Sequence, residues 1–370
     1  MRAAPVRTYA PTMQSRTPPK PRSLYKDAEG HWVRRWTGAD WFAAADAWVR
    51  SQLAVAGIAV TGDPVPYKIR FWAAVWCYPT DQGLYWFKEN NPGQSFEAAL
   101  VDAMARELPQ HVIAPLAIEA ARGWMLTADQ GVTLGEQPAQ VDPLVLWRRL
   151  AVEYAGLQRD TVPAEQALLA SGLTPIGPDQ LGSTVHGIAD WFGRFDDGHP
   201  LAIGGKVTDL HRAADTLDGW RTRFCGAIPM ALDQNDLHAH NVFAAGPTAP
   251  FRFFDFGDSL WGHPFVTLAC VRDALVNPDD PNSWAEDDPR LTEITDAYLQ
   301  QWSDLAPLDV LRAELQAALP VHVVHRLISW HRLLVHADEK EAAAWAFSPH
   351  HWVAEVIRLF ANGTNPPTTA

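Results

Sequence analysis

Downstream of Pro143 the chain reads as helix after helix, except for one short segment, 232–258, that helical periodicity cannot accommodate. Apolar residues recur at three- and four-residue spacing in Leu144–Gln158, Gln180–Phe195, Val207–Cys225, Leu291–Asp304 and Val310–His336, the last bent at Pro320. Within the exception, the runs Asn241-Val242-Phe243 and Phe251-Arg252-Phe253-Phe254 flank Gly246-Pro247-Thr248-Ala249-Pro250, the pattern of a β-hairpin. A lone hairpin is marginal in water, so the helices on either side must pack around it.

The polar residues at the hairpin mouth are not turn-formers alone. Asp236 and Asn241 stand five positions apart just before the first strand, and Asp255-Phe256-Gly257-Asp258 follows the second, with Asp255 fourteen residues past Asn241. Phosphoryl transfer to a hydroxyl needs this set: one carboxylate to orient the acceptor and take its proton, and an amide oxygen and a second carboxylate to hold Mg²⁺ against nucleotide phosphates. The bland reading is an Asx-rich turn with Asp236 capping a helix. D-x-x-x-x-N alone is common by chance; joined to D-F-G through a short hairpin, it is specific.

The first part of the chain has a different texture. Thr37 is a candidate cap for a helix running to about Ala56. Tyr67–Tyr78 is rich in aromatic and β-branched residues and turns through Pro79–Gly83 into Leu84–Lys88, predicting a hairpin. A helix is expected over Ser95–Leu108, with Phe96, Leu100, Met104 and Leu108 on one stripe, then a strand pair at Ile113–Glu119 and Gly123–Ala128. Strand, strand, helix, strand, strand is the plan of a small nucleotide-binding lobe. Lys88 ends a strand and Glu97 lies nine residues on in the following helix, the order in which a lysine held by a helix glutamate positions nucleotide phosphates.

Composition narrows the class. At 370 residues the chain is long for one core, and two lobes are the natural expectation. The polar, turn-rich stretch from Gly131 to Asp142 marks their junction, giving lobes at 25–131 and 132–370 behind a tail at 1–24. That tail carries Arg2, Arg7, Arg16, Lys20 and Arg22 among prolines, lacks the apolar centre of a secretory signal, and is expected to be disordered. A net charge of −13 argues against non-specific nucleic-acid binding. No apolar run reaches membrane-spanning length, and three scattered cysteines suit a reducing cytoplasm.

Asn235-Asp236-Leu237-His238-Ala239-His240-Asn241-Val242 resembles the H-G-D-L-H-x-x-N-V element of the aminoglycoside phosphotransferase/choline kinase superfamily, and Phe254-Asp255-Phe256-Gly257-Asp258 resembles its I-D-W-G/E-D element. The likeness covers roughly Tyr67–His336, strongly at these two motifs and in layout elsewhere. It implies an α+β, bilobal, protein-kinase-like fold, ATP or GTP with Mg²⁺, and transfer of the γ-phosphate to a small-molecule hydroxyl. It further implies Asp236 as catalytic base, Asn241 and Asp255 as metal ligands, Lys88 at the phosphates with Glu97 behind it, and a hinge at Met125–Asp129, represented by Ala128, facing the base. The chain departs from the family at Gln234, where His is usual, at Asn235, often Gly, and at His263 and Thr267, which replace two acids. No G-x-G-x-x-G occurs near Arg70–Tyr78, so a protein substrate is not expected.

Other features have bland readings. The acidic loop Asn277–Arg290 around Trp284 reads as a solvated connection, with a substrate rim as the sharper option. Histidines 322, 325, 331, 336, 350 and 351 show no H-E-x-x-H spacing, although His325 and Trp330 could line an acceptor pocket. Two other functions fit parts of the pattern: a nucleotide-binding pseudokinase, suggested by Gln234, His263 and Thr267, and a metal-dependent hydrolase using Asp236, His238, His240 and Asp255. The acceptor and the oligomeric state are not written in the sequence.

Overall fold

Alternation along one strand sets up the first lobe. In β3 (Gly83–Asn90) successive side chains point to opposite faces. Leu84, Trp86 and Lys88 face a cleft, whereas Tyr85, Phe87 and Glu89 face an aromatic core. The computed structural model describes residues 27–361 except 138–140, 245, 247–248 and 277–282. The expected tail, part of the hairpin turn and the Asp279-Asp280 half of the acidic loop lie outside the described residues.

Before β3 come two helices, α1 (His31–Thr37) and α2 (Ala39–Val55), and two strands, β1 (Val65–Arg70) and β2 (Ala73–Thr80). After it come α3 (Glu97–Glu107), β4 (Ala117–Glu119) and β5 (Trp124–Ala128). The strands form one antiparallel sheet ordered β1-β2-β3-β5-β4, with Lys88 on the central strand opposite Val75 and Met125. The sheet thus has one more strand than expected. Tyr67–Tyr78 is not a single strand: it folds back at Phe71-Trp72, a turn without Gly, Asn or Pro to announce it. Main-chain bonds that a turn lacks come from a distance, since Phe71 N donates to Asp27 Oδ2 at 2.7 Å and Asn91 N to Trp72 O at 2.8 Å.

Helices α1 and α2 cover the outer sheet face, where Val33, Trp36, Ala45, Val49 and Leu53 pack on Ile69, Phe87 and Leu126. The expected cap at Thr37 is replaced by a break at Gly38 between two helices; the Thr37 hydroxyl instead donates back to Val33 O at 2.8 Å. Glu89 is buried in this apolar face. Its carboxylate accepts the indole N–H groups of Trp36, Trp41 and Trp124 and pairs with Arg35 at 2.6 Å. A buried carboxylate is tolerated because every lone pair is used.

The second part is helical: α4 (Pro143–Thr161), α5 (Glu165–Leu169), α6 (Leu181–Phe192), α7 (Lys206–Asp218), α8 (Leu268–Leu275), α9 (Pro289–Leu299), α10 (Leu308–Ala318), α11 (His322–Leu334), α12 (Glu339–Trp345) and α13 (Phe347–Phe360). The single helix expected over Val310–His336 is two, separated by a 3₁₀ turn at Leu319–Val321 that contains Pro320. The helices α5, α8, α12 and α13 were not legible from periodicity. Two antiparallel strand pairs interrupt the helices: β6 (Ala231–Asp233) with β9 (Leu260–Gly262), and, between them in the chain, β7 (Val242–Ala244) with β8 (Phe251–Phe253). The second is the expected hairpin. Helix α3 turns its apolar side, Leu100, Val101 and Met104, to the large helical core rather than to the sheet core. It therefore couples the two halves, and so does α1, whose Trp32 N donates to Glu341 Oε1 at 2.6 Å on α12.

Candidate active site

Between the sheet and the helical half lies a cavity of about 680 Å³. Lys88, Glu97, Ala128, Asp236, Asn241 and Asp255, six residues separated by up to 167 positions, all line it.

From the sheet side, Lys88 Nζ bridges two carboxylates, Glu97 Oε2 at 2.7 Å and Asp255 Oδ1 at 2.6 Å. Burial works against its charge, but the two acids outweigh this and hold the ammonium well above the usual lysine range. Glu97 sits in the first turn of α3, where a carboxylate suits the helix dipole. It also accepts the Phe256 N–H at 2.9 Å, so one glutamate orients both the lysine and the chain just past Asp255. Ala128 ends β5; its carbonyl accepts the Gln130 side-chain amide at 3.1 Å, and Trp86 Nε1 donates to Asp129 Oδ1 at 2.8 Å beside it.

From the helical side, two loops meet. The first leaves β6 through Gln234 and Asn235 to Asp236; the second leaves β8 at Asp255. Asn235 (φ +59°) and Asp255 (φ +61°) are the two non-glycine residues with left-handed backbone among the described residues. Such conformations cost about 1 kcal/mol or more each and persist where surrounding bonds overdetermine them. Here the bonds are visible. Asn235 Nδ2 donates to His325 O at 3.0 Å and to Asp258 O at 3.4 Å. Gln234 Nε2 donates to Phe254 O at 2.6 Å and Asp255 O at 3.4 Å, and Gln234 N donates to Tyr154 Oη at 2.9 Å. Gln234 thus ties one loop to the other. Asn241 Nδ2 donates to Asp236 O at 3.0 Å, which aims the amide and leaves its oxygen as the acceptor atom.

Asp236 stands beside Arg326, whose Nη1 lies 3.3 Å from Oδ1, and His238, whose Nε2 lies 3.4 Å from Oδ2. Burial pushes its pKa up, yet Arg326, His238 and Lys68 together hold it well below the usual carboxylate range. Asp255 is kept low in the same way, its burial outweighed by Lys88 and Lys68. Asp258 goes the other way, raised by burial despite Arg326, with Asp236 adding to the rise. Its carboxylate accepts hydrogen bonds from Gln94 Nε2 at 2.8 Å and from the Ser329 hydroxyl. The donor set of Asn241 and Asp255, an amide oxygen and an ionised carboxylate, is of the hard oxygen type that suits Mg²⁺.

Several residues that build the site escaped sequence reasoning. Lys68 on β1 lines the cavity and carries charge toward both Asp236 and Asp255. Arg326, in α11, donates to Asn235 O at 2.6 Å and spans Asp236 and Asp258. Gln158, given no role from sequence, donates to Leu232 O and Pro264 O at 3.0 Å each, bracing β6 and the end of β9 from beneath. None of these has a local signature. Of the two aromatic-pocket candidates, Trp330 lines the cavity and His325 does not: its ring is buried against Asp233, with Nδ1 and Oδ2 2.8 Å apart. His263, standing where an acid was expected, is buried and faces Glu314 at 3.3 Å. Trp284 is buried too, with the Arg290 guanidinium 3.8 Å over its ring, which leaves it no open face for a sugar. Asp236, His238, His240 and Asp255 do not gather as a metal cluster; among the described residues the one His/Cys/Asp/Glu group close enough to do so is His186, Asp215 and Asp218, elsewhere. No described helix is long and apolar enough to cross a membrane.

The chain matches none of the family models and none of the curated proteins with which it was compared. Solved structures do resemble it. A Plasmodium vivax ethanolamine kinase aligns at a TM-score of 0.58 and 11% identity over 89% of this chain and 91% of its own. A type I macrolide 2'-phosphotransferase aligns at 0.52 and 16%, over 82% and 97%. The gentamicin complex of APH(2")-IIa aligns at 0.52 and 13%, over 89% and 99%. At such identities the likeness is one of architecture, and it agrees with the sheet order and the helical second half: the chain has an α+β, bilobal, kinase-like fold.

Proposed function

We propose that this protein is a small-molecule kinase that moves the γ-phosphate of ATP, or GTP, onto a hydroxyl of a small acceptor with Mg²⁺ present. The observation that carries this is the ion bridge Glu97–Lys88–Asp255, which spans the two halves at the cavity holding Asp236 and Asn241. The structures similar in fold are named for phosphoryl transfer to macrolides, aminoglycosides and ethanolamine, which supports the reaction class.

In this reading Asp236 accepts the hydrogen bond of the acceptor hydroxyl and takes its proton as the bond to phosphorus forms. Arg326 and His238 keep that carboxylate ionised and aimed. Lys88 exchanges its contact with Asp255 for the nucleotide's phosphate oxygens, held in place by Glu97, and Lys68 adds a second positive charge over the same region. Backbone groups near Ala128 meet the base. Asn241 and Asp255 would hold Mg²⁺, which would neutralise phosphate charge. The lobe boundary is placed at 131/132, where the last strand has ended and α4 has not begun.

The Gln234 amide, which donates to Phe254 O and Asp255 O, supports this reading over a pseudokinase because it braces the segment that presents Asp255. ATP consumption against a panel of amino sugars, aminoglycosides, macrolides and choline-like alcohols tests the proposal. Mg²⁺-dependent consumption with at least one acceptor, abolished by Asp236→Asn, is the expected result. Nucleotide binding that persists without turnover of any acceptor would return the protein to the class of binding modules.

A further inference from the structure

Outside the cleft lining, helices α6 and α7 lie antiparallel, and each carries a His and an Asp four residues apart: His186 and Asp190 on α6, His211 and Asp215 on α7, with Asp218 one turn further. Four-residue spacing puts each pair on one helix face, and here the two faces meet. The Nδ1 atoms of His186 and His211 are 2.8 Å apart. His211 Nε2 lies 3.4 Å from Asp190 Oδ1, and His186 Nε2 lies 3.3 Å from Asp215 Oδ1 and 3.9 Å from Asp218 Oδ2.

Proton bookkeeping along this line has two outcomes for neutral rings, since one hydrogen lies between the Nδ1 atoms and the other on one of the outer Nε2 atoms. In one, His186 Nε2 carries its hydrogen toward Asp215 and the His211 lone pair faces Asp190; in the other, because a carboxylate only accepts, His211 carries its hydrogen on Nε2, toward Asp190. His211 Nδ1 is then an acceptor, and His186 Nδ1 must be the donor. That leaves the lone pair of His186 Nε2 aimed at two carboxylate oxygens, an arrangement that repels unless a positive charge sits among them. A third feature concerns space. Gly182, one turn before His186, lets Asp218 approach α6: a Cβ there would lie 2.0 Å from Asp218 Oδ1.

The geometry points to a divalent transition-metal site of the Zn²⁺ type, with His186 Nε2, Asp215 and Asp218 as ligands and the His211–Asp190 pair orienting the ligand imidazole. One imidazole and two carboxylates suit Zn²⁺, with water completing four-coordination. A hydrogen-bonded partner on the ligand histidine's other nitrogen is the usual means of fixing its tautomer. The ion would staple α6 to α7, independently of the phosphotransfer cleft.

Full-length protein stripped with chelator and titrated with zinc chloride by calorimetry is the test, with thermal unfolding followed in parallel. The wild type is expected to bind one more equivalent of Zn²⁺ than His186→Gln or Asp215→Asn, and to gain a rise in Tm that both variants lose. Asp255→Asn should keep that equivalent, which separates it from any metal held in the cleft. His211→Phe should keep the stoichiometry and weaken affinity about 10- to 100-fold. Because Asp218 is largely exposed, Asp218→Asn serves as a variant with little risk to folding, and chelator-treated melts show that each variant is folded. Equal Zn²⁺ stoichiometry in the wild type, His186→Gln and Asp215→Asn would overturn the site, as would the absence of any Zn²⁺-dependent rise in Tm. Either result would leave His186 and Asp215 as a polar contact between the two helices.

Discussion

The two walls of the cleft are built on opposite principles. The sheet wall presents Lys88 from the central strand of the sheet, and its precision comes from backbone pairing on both sides plus an aromatic core behind it. The helical wall presents Asp236, Asn241 and Asp255 from irregular loops, two of whose residues adopt left-handed backbone. Its precision comes from side-chain amides, Gln158, Gln234 and Asn235, that satisfy carbonyls of distant segments. A strand holds its side chains by repetition. A loop needs a partner for each group. Damage should therefore be graded and global on the sheet wall, and local but functional on the helical wall.

The largest effect is expected at the chemistry itself. Asp236→Asn should lower kcat by about 10³-fold, the middle of the range for losing a general base, while a nucleotide titration finds Kd little changed. Comparable turnover in the variant would remove Asp236 from that role. Next comes the sheet wall's hidden anchor. Glu89→Ala strands three indole N–H groups and Arg35, and should cost about 3 kcal/mol in urea unfolding. A loss below about 1 kcal/mol would mean that water reaches those indoles.

Smaller effects separate the two supporting amides on the other wall. Asn235→Ala loses two hydrogen bonds and puts an unsuited side chain at φ +59°. It should destabilise by about 2 kcal/mol. Asn235→Gly keeps the backbone at ease and should cost only about half as much, and the same unfolding assay compares them. Gln234→Ala should reduce kcat about tenfold through misplacement of Asp255, with partial recovery in Gln234→His; no recovery would mean that the amide's second bond is needed. The smallest effect concerns pH. His331 in α11 is held down to about 4, by burial first and by Arg332 second, from an ordinary value of 6.5. The unfolded chain therefore binds a proton in that window and the folded chain does not, so stability falls as pH drops from 6.5 toward 4. His331→Phe should flatten that slope in unfolding measurements across the range.

Legibility followed the same division. The hairpin at 242–253, helix α3 and the Lys88–Glu97 pairing could be read because period-two and period-three-to-four patterns are local physics. The extra turn at Phe71-Trp72 could not, since its hydrogen bonds run to Asp27 and Asn91. Nor could β6 and β9, at three residues each too short to show alternation. Lys68 and Arg326 carried no spacing signal, because a charged residue on a strand or helix face is ordinarily solvated. His325 shows the reverse error: a histidine in the right helix, but turned into the core to hold Asp233.

The sequence by itself determined the motif residues Asp236, Asn241 and Asp255, the Lys88–Glu97 order and the two-part plan, because each rests on identity and near-neighbour spacing. Tertiary structure alone decided which carboxylates Lys88 bridges, which amides hold the two strained loops, and that two His–Asp pairs on α6 and α7 face each other. Those depend on contacts between residues far apart in the chain, and such contacts exist only once the helices have packed.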